Sequence, residues 1–119
     1  METDRGQFIE AIAAASRRMT APFVRLEAST VLATRLGRPP LEAERQFDEF
    51  LRLAEIVEVD VPPAVGIAAV ACFERFGKGR HPARLNFADC LSYATAKTFD
   101  ARLLFKGDDF AMTDANAWL

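Results

Sequence analysis

No stretch of this chain is both long and hydrophobic. The longest weakly polar stretch, residues 59–73, contains Asp60, two prolines and Gly66, and it is shorter than the roughly 20 apolar residues that cross a bilayer. Residues 1–4 are acidic and precede no apolar core, so the N-terminus does not have the pattern of a secretory signal. We therefore expect a cytoplasmic protein.

Cysteine is scarce, and basic charge is not in excess. The two cysteines, Cys72 and Cys90, each lie in an apolar helical pattern, which predicts reduced core thiols and argues against a disulfide or a metal pair. Fifteen basic residues against 17 acidic residues give a net charge of −2. The chain therefore lacks the general electrostatic signature of a nucleic-acid-binding protein, and any RNA contact must use a local patch.

Three widespread catalytic patterns are also missing. The sequence Gly-Lys-Gly at residues 77–79 has no strand before it and no Lys-Ser/Thr pair after it, so it is not a phosphate-binding P-loop. No serine lies in a nucleophile elbow. The only histidine, His81, lies in a loop rich in glycine and proline without an adjacent acid to orient it, which predicts an exposed loop residue.

Helical and strand patterns alternate along the chain. Apolar residues at helical spacing predict helices, and short stretches of β-branched or apolar residues next to prolines and glycines predict strands. For a chain of 119 residues, this order indicates a single α/β domain, a three-layer α/β/α sandwich with a mostly parallel sheet. The predicted helices cover residues 4–16, 22–36, 41–55, 64–76 and 86–99, and the predicted strands cover residues 17–21, 56–61 and 102–105.

Glu27 is the first acidic residue with a candidate chemical role. It falls among Val24, Ala28 and Val31, on the predicted apolar face of its helix. A carboxylate on such a face is costly unless it is paired or binds a metal. Glu27 is therefore either ion-paired with an arginine such as Arg25 or a metal ligand, and the spacing favours neither.

Three aspartates further along the chain also have both a structural and a chemical interpretation. Asn86 followed by Asp89 predicts a helix capping box, which taken alone favours a structural role for Asp89. Asp108 and Asp109 follow the strand 102–105, where α/β sheets place their sites, although for either aspartate alone a solvated turn is favoured. Carboxylates without Cys or His partners suit Mg²⁺ or Mn²⁺, which activate water and stabilise charge in phosphodiester hydrolysis.

A run of basic residues precedes the predicted helix of Asp89. Such a run is usually a solvated loop, but beside a set of carboxylates it would suit contacts to phosphate groups. Its members are Arg75, Lys78, Arg80, His81 and Arg84.

Two segments resemble a known family. Residues 75–94, RFGKGRHPARLNFADCLSYA, closely resemble the YGKGRHPAxLNFGDCxSYALAK stretch of VapC-type PIN-domain toxins. Residues 103–114, LLFKGDDFAMTD, resemble the LLFKGNDFxxTD ending of the same family. Glu27 within LEAS matches the family's helix glutamate, and the resemblance runs from about residue 2 to residue 115.

The resemblance implies a PIN-like fold and a Mg²⁺- or Mn²⁺-dependent ribonuclease toxin that hydrolyses RNA and is paired with an antitoxin protein. It implies Glu27, Asp89 and Asp109 as the catalytic metal ligands, with Asp108 as the alternative to Asp109. Asn86 would orient this set. From the basic run, Lys78, Arg80 and Arg84 are the residues that we expect to contact RNA.

One element of the family pattern has no counterpart here. The family opens with a strand of the type VIDTSALVAIL, whose aspartate is the first metal ligand and which lies at the centre of the sheet; Asp4, at a helix start, does not replace it. We therefore expect weakened metal binding and catalysis, and compensation of the open sheet by contacts in a homodimer, by strand exchange or by closure of the gap. The alternative function is a non-catalytic PIN-like module that binds the antitoxin.

Overall fold

The computed structural model describes residues 4–101, which contain five helices and two short strands. Every predicted helix is present with slightly shifted ends, whereas the predicted strand 102–105 lies outside the described residues. None of the helices within residues 4–101 is long and apolar enough to cross a membrane. The elements in chain order are α1 Asp4–Ala14, β1 Met19–Thr20, α2 Pro22–Leu36, α3 Pro40–Leu53, β2 Val57–Glu58, α4 Pro63–Phe76 and α5 Phe87–Thr98.

Proline begins three of the helices. Pro22, Pro40 and Pro63 each lie in the first turn, where an N–H would have no partner within the helix and where the φ of proline already suits a helix. At the other end of α2, Gly37 adopts the left-handed conformation, with φ 63°, and donates its N–H to the carbonyl of Ala33. The predicted end of this helix at residue 36 is therefore followed by a glycine C-cap.

The strands β1 and β2 form a parallel pair of two residues each. A parallel pair needs a long connection, and α2 and α3 supply it. Both strands are shorter than predicted, because α2 begins at Pro22 and because the N–H of Ile56 bonds to the carbonyl of Leu51, at the end of α3, at 2.8 Å. The register pairs Met19 with Val57 and Thr20 with Glu58.

Residues 12–60 form one compact unit, and the described residues from Val61 onward belong to a second. In the first unit α2 packs against α3. Small side chains at a helix contact allow the two helix axes to approach closely. The buried residues of this pair are Ser29 and Ala33 on α2 and Ala43, Phe47 and Leu51 on α3.

In the second unit α4 packs against α5. The core of this unit is built from both helices and from the segment between them, in which Ala83 and Leu85 are fully buried. Cys72 of α4 and Cys90 of α5 are buried thiols within this core and are not joined in a disulfide, as predicted from their apolar surroundings.

Candidate active site

Asp89 is held by a capping box at the start of α5. The N–H of Asp89 donates to Oδ1 of Asn86 at 2.9 Å, and the N–H of Asn86 donates to Oδ2 of Asp89 at 3.0 Å. The predicted N-cap is thus confirmed. Oδ1 of Asp89 has no hydrogen-bond partner among the described residues, and the carboxylate is half-buried. The cap therefore fixes the direction of a carboxylate that still has one oxygen available to a cation.

Glu27 is exposed, and the prediction that it lies on the apolar face of its helix is wrong. The buried line of α2 runs through Ser29 and Ala33, and the half-buried Arg25 lies four residues before Ser29 on the same line. Successive helical residues are about 100° apart, so Glu27 lies on nearly the opposite side from Arg25. Val31, one turn after Glu27, is 45% exposed. Whether Glu27 binds a metal stays a prediction.

Arg25 is paired with carboxylates of other elements, and within residues 4–101 it has no ion pair with Glu27. These pairs raise the pKa of Arg25, through Glu58 first and then Asp48, so the guanidinium stays charged. The predicted alternative, a salt bridge from Arg25 to Glu27, is therefore wrong. The guanidinium donates to Glu58 at 3.1 and 3.0 Å, to Asp48 at 2.7 Å and to Glu44 at 3.2 Å.

The four predicted metal ligands come from separate parts of the chain. Glu27 belongs to the 12–60 unit and Asp89 to the second unit, whereas Asp108 and Asp109 lie outside the described residues. Within residues 4–101, no three His, Cys, Asp or Glu side chains are grouped as a metal site. The donor chemistry at Asp89 still suits a hard cation, because a carboxylate oxygen is the ligand that Mg²⁺ and Mn²⁺ prefer.

The basic loop, residues 77–85, connects α4 to α5 and is closed by a bridge between Gly77 and Leu85. The N–H of Lys78 bonds to the carbonyl of Leu85 at 2.9 Å, and the N–H of Leu85 bonds to the carbonyl of Phe76 at 3.0 Å. The side chains of Lys78, Arg80 and Arg84 are exposed. Three cationic side chains therefore project from one closed loop immediately before the capping box of Asp89.

Two positions of this loop require glycine, because a side chain there would clash or would strain the backbone. A Cβ on Gly77 would overlap the carbonyl oxygen of Phe73 and would lie 2.5 Å from its ring. Gly79 has φ +87°, a conformation that side chains rarely adopt. The Gly-Lys-Gly stretch is thus explained by the backbone path of the loop.

The sequence pattern of the PIN domain matches residues 2–116 of the chain. The chain belongs to the PIN-domain family. The described α2, α3 and parallel pair agree with the α/β class of that fold, so the predicted α/β/α class is confirmed. The resemblance to VapC-type proteins is confirmed by relatives that carry that name. The match also covers residues 102–116, and with them Asp108 and Asp109.

Several relatives of this PIN-domain chain are named as ribonucleases. The Ribonuclease VapC of Mycolicibacterium smegmatis is 42% identical over 92 residues, which cover 77% of this chain and 69% of that protein. Ribonuclease VapC30 of Mycobacterium tuberculosis is 39% identical over 113 residues, covering 95% of this chain and 84% of that protein. Ribonuclease VapC28 of the same organism is 39% identical over 113 residues, covering 94% and 83%.

His81 is a residue that sequence reasoning about this PIN-domain chain misjudged. The prediction of an exposed loop histidine is wrong, because the side chain is half-buried and its Nδ1 accepts the N–H of Ala83 at 3.0 Å. The bond depends on the backbone path of the loop, and no sequence pattern around His81 indicated it.

Proposed function

We propose that this chain is a metal-dependent ribonuclease toxin of a toxin–antitoxin pair, which hydrolyses RNA phosphodiester bonds. The observation that carries the proposal is that two features follow one another directly along the chain of the second unit. An exposed loop with three cationic side chains leads directly into a capping box that orients the Asp89 carboxylate. Cations bind the phosphate backbone, and a carboxylate with an available oxygen binds the ion that polarises it. The family match and the names of the relatives support the same activity.

The metal in this proposal is Mg²⁺, with Mn²⁺ as its substitute. The proposed ligands are Glu27, Asp89 and Asp109, with Asp108 as the alternative to Asp109. Asn86 orients Asp89 within this set, because its N–H holds Oδ2 of Asp89 and leaves Oδ1 for the ion. When bound, the ion supplies an activated water and neutralises charge on the phosphate. The exposure of Glu27 on α2 is compatible with this role, since its carboxylate has no ion-pair partner within residues 4–101.

The proposed RNA contacts come from Lys78, Arg80 and Arg84. Their exposure on a closed loop suits contacts to phosphate groups, which carry no sequence information by themselves. Each cation that neutralises a phosphate releases a counterion, so binding weakens as salt concentration rises. This local patch allows RNA binding despite the net charge of −2.

The proposed protein partners are an antitoxin and a second copy of the chain. Large apolar side chains are exposed on two helices, with Leu41 75% and Leu53 68% exposed on α3, and Ile67 74% and Val70 72% exposed on α4. Exposed apolar side chains one helical turn apart, as at Ile67 and Val70 on α4, support contact with another protein. Light scattering during gel filtration of the chain tests the dimer, and Val70→Glu is expected to shift a dimer towards monomer.

The experiment that tests the proposed activity is RNA cleavage by the purified chain with and without Mg²⁺. The informative variant is Asp89→Asn, because an amide oxygen can still accept the N–H of Asn86 while the charge that binds the ion is removed. We expect cleavage that requires the metal, stops with a chelator and is lost in Asp89→Asn. Cleavage that survives the chelator, or that is unchanged in Asp89→Asn, would contradict the proposal. No cleavage by a chain that still binds an antitoxin would favour the non-catalytic module.

A further inference from the structure

His81 is bound to the basic loop by its side chain and by its backbone. Its Nδ1 accepts the N–H of Ala83 at 3.0 Å. Its own N–H donates to the carbonyl of Gly77 at 3.1 Å, and its carbonyl accepts the N–H of Arg84 at 3.0 Å. A single residue thereby connects the beginning of the loop, its buried centre and one of its cationic positions.

The imidazole is also anchored outside the loop. Its ring meets the ring of Phe76 edge-on, with the centroids 5.1 Å apart and the planes at 88°, a favourable arrangement for two aromatic rings. Phe76 is the last residue of α4 and is 5% exposed. The hydrogen bond to Ala83 is therefore made by a ring that the core of the second unit holds in place.

The acceptor role defines the state of the imidazole. A neutral imidazole carries one proton, and a nitrogen that accepts a hydrogen bond does not carry it. Nδ1 accepts from Ala83, so the proton of His81 is on Nε2. This tautomer is an observable consequence of the loop geometry.

The loop held in this way contains a strained residue. Arg84 has φ 55°, a left-handed conformation that is strained for a residue with a side chain. Its two neighbours, Ala83 and Leu85, are fully buried, and its N–H is bonded to His81. Strain of this kind persists only where the surroundings determine the backbone conformation. Here the surroundings include the hydrogen bonds that the N–H groups of Ala83 and Arg84 donate to His81.

We propose that His81 is a positioning residue for RNA: its Nδ1 holds the basic loop in the shape that presents Lys78, Arg80 and Arg84 to phosphate groups. This inference rests on the proposed ribonuclease function. His81 acts through the backbone of the loop, and the RNA is contacted by the three cationic side chains. The acceptor atom is therefore what matters, more than the charge or the ring of the residue.

A pair of substitutions separates the acceptor from the ring. In His81→Asn the amide oxygen takes the place of Nδ1, so the bond from Ala83 is retained without an imidazole. In His81→Phe an aromatic ring still faces Phe76, but the acceptor is lost. Binding of each full-length variant to a fluorescein-labelled single-stranded oligouridine is measured by fluorescence anisotropy at one fixed salt concentration.

We expect His81→Phe to bind this RNA about three- to tenfold more weakly, the factor that corresponds to one neutral hydrogen bond. His81→Asn is expected to bind within about twofold of the unsubstituted chain. Equal binding by His81→Phe and the unsubstituted chain would overturn the inference. It would also be overturned if His81→Asn bound as weakly as His81→Phe, because the acceptor at this position would then not maintain RNA binding.

Two further measurements distinguish failure of this inference from failure of the proposed function. Lys78→Ala is measured in parallel. Weaker binding by Lys78→Ala with unchanged binding by His81→Phe overturns only the role of His81, whereas unchanged binding by Lys78→Ala contradicts the proposed RNA contact and the role of His81 with it.

Nitrogen NMR of the single histidine in the free chain tests the hydrogen bond from Ala83 to His81 directly. A proton on Nε2 and a scalar coupling from Nδ1 to the Ala83 amide support it, and a proton on Nδ1 overturns it.

Discussion

Arg25 of α2 and Glu58 of β2 are joined by two parallel hydrogen bonds, from Nε to Oε2 at 3.1 Å and from Nη2 to Oε1 at 3.0 Å. The remaining Nη1 group donates to Asp48 and Glu44 of α3, and the guanidinium lies over the ring of Phe47. One side chain, 27% exposed, thus connects both helices of the 12–60 unit to its second strand.

Replacement of Arg25 by Ala is expected to destabilise the chain by about 1–2 kcal/mol, because three carboxylates lose their cation and two helices lose a shared contact. Arg25→Lys is expected to recover only part of this, since an ammonium cannot form the two parallel bonds to Glu58. Urea unfolding monitored by circular dichroism measures both. The control is Arg52→Ala, which removes an exposed pair with Glu49 on the same helix and is expected to change stability little. A loss as large in Arg52→Ala as in Arg25→Ala would contradict this prediction.

Substitution by alanine is expected to change the stability of the chain in opposite directions at two glycines, Gly77 and Gly66. Gly77→Ala places a Cβ against the carbonyl and ring of Phe73, and we expect a loss of about 1–3 kcal/mol. Gly66→Ala, within α4, meets no atom within 4 Å and is expected to gain about 0.5–1 kcal/mol, because alanine restricts the unfolded chain and favours a helix. Thermal unfolding of the two variants checks both signs. A stable Gly77→Ala would mean that the loop does not follow the described path.

Arg84 offers a way to separate backbone strain from charge. Arg84→Gly removes the strain at φ 55° and is expected to stabilise the chain by about 0.5–1 kcal/mol. The same substitution removes a phosphate contact, so the slope of log affinity for RNA against log salt concentration should become shallower by about one unit. Arg84→Lys keeps the charge and the strain and should leave both quantities nearly unchanged. A gain in stability without a change in the salt slope would show that Arg84 does not contact RNA.

The elements that the sequence predicted well have local causes. The starts at Pro22 and Pro63, the end at Gly37 and the capping box of Asn86 all depend on residues within one helical turn, so their identities and spacing were sufficient. The thiol state of the two cysteines followed from their apolar neighbours in sequence.

The incorrect predictions concern contacts between residues that are distant in sequence, or contacts that depend on the backbone conformation of a loop. The carboxylate partners of Arg25 are Glu44, Asp48 and Glu58 on other elements, whereas spacing along α2 left an ion pair and a metal-ligand role equally open for Glu27. The apolar residues around Glu27 suggested a buried face, but small residues on another line of the helix form the contact with α3. The loop bond of His81 depends on the backbone path between Gly77 and Leu85, which composition alone did not indicate. The metal ligands Glu27, Asp89 and Asp109 and the single-domain organisation stay predictions.

The central claim is that Asp89 is a metal ligand whose direction is set by the capping box. Asp89→Asn tests it sharply, because the variant keeps an oxygen for the N–H of Asn86 and is expected to lose no more than about 1 kcal/mol of stability from the missing charge at the helix N-terminus. Unfolding of the variant under the same buffer conditions provides the control for the fold.

The measurement is a calorimetric titration of Mn²⁺ into the chain and into Asp89→Asn. We predict saturable binding of the ion by the chain and its loss in the folded variant, since the remaining carboxylates do not replace the missing charge. Equal binding by both proteins, or no binding by the unsubstituted chain, would contradict the assignment of Asp89 as the ligand at the start of α5.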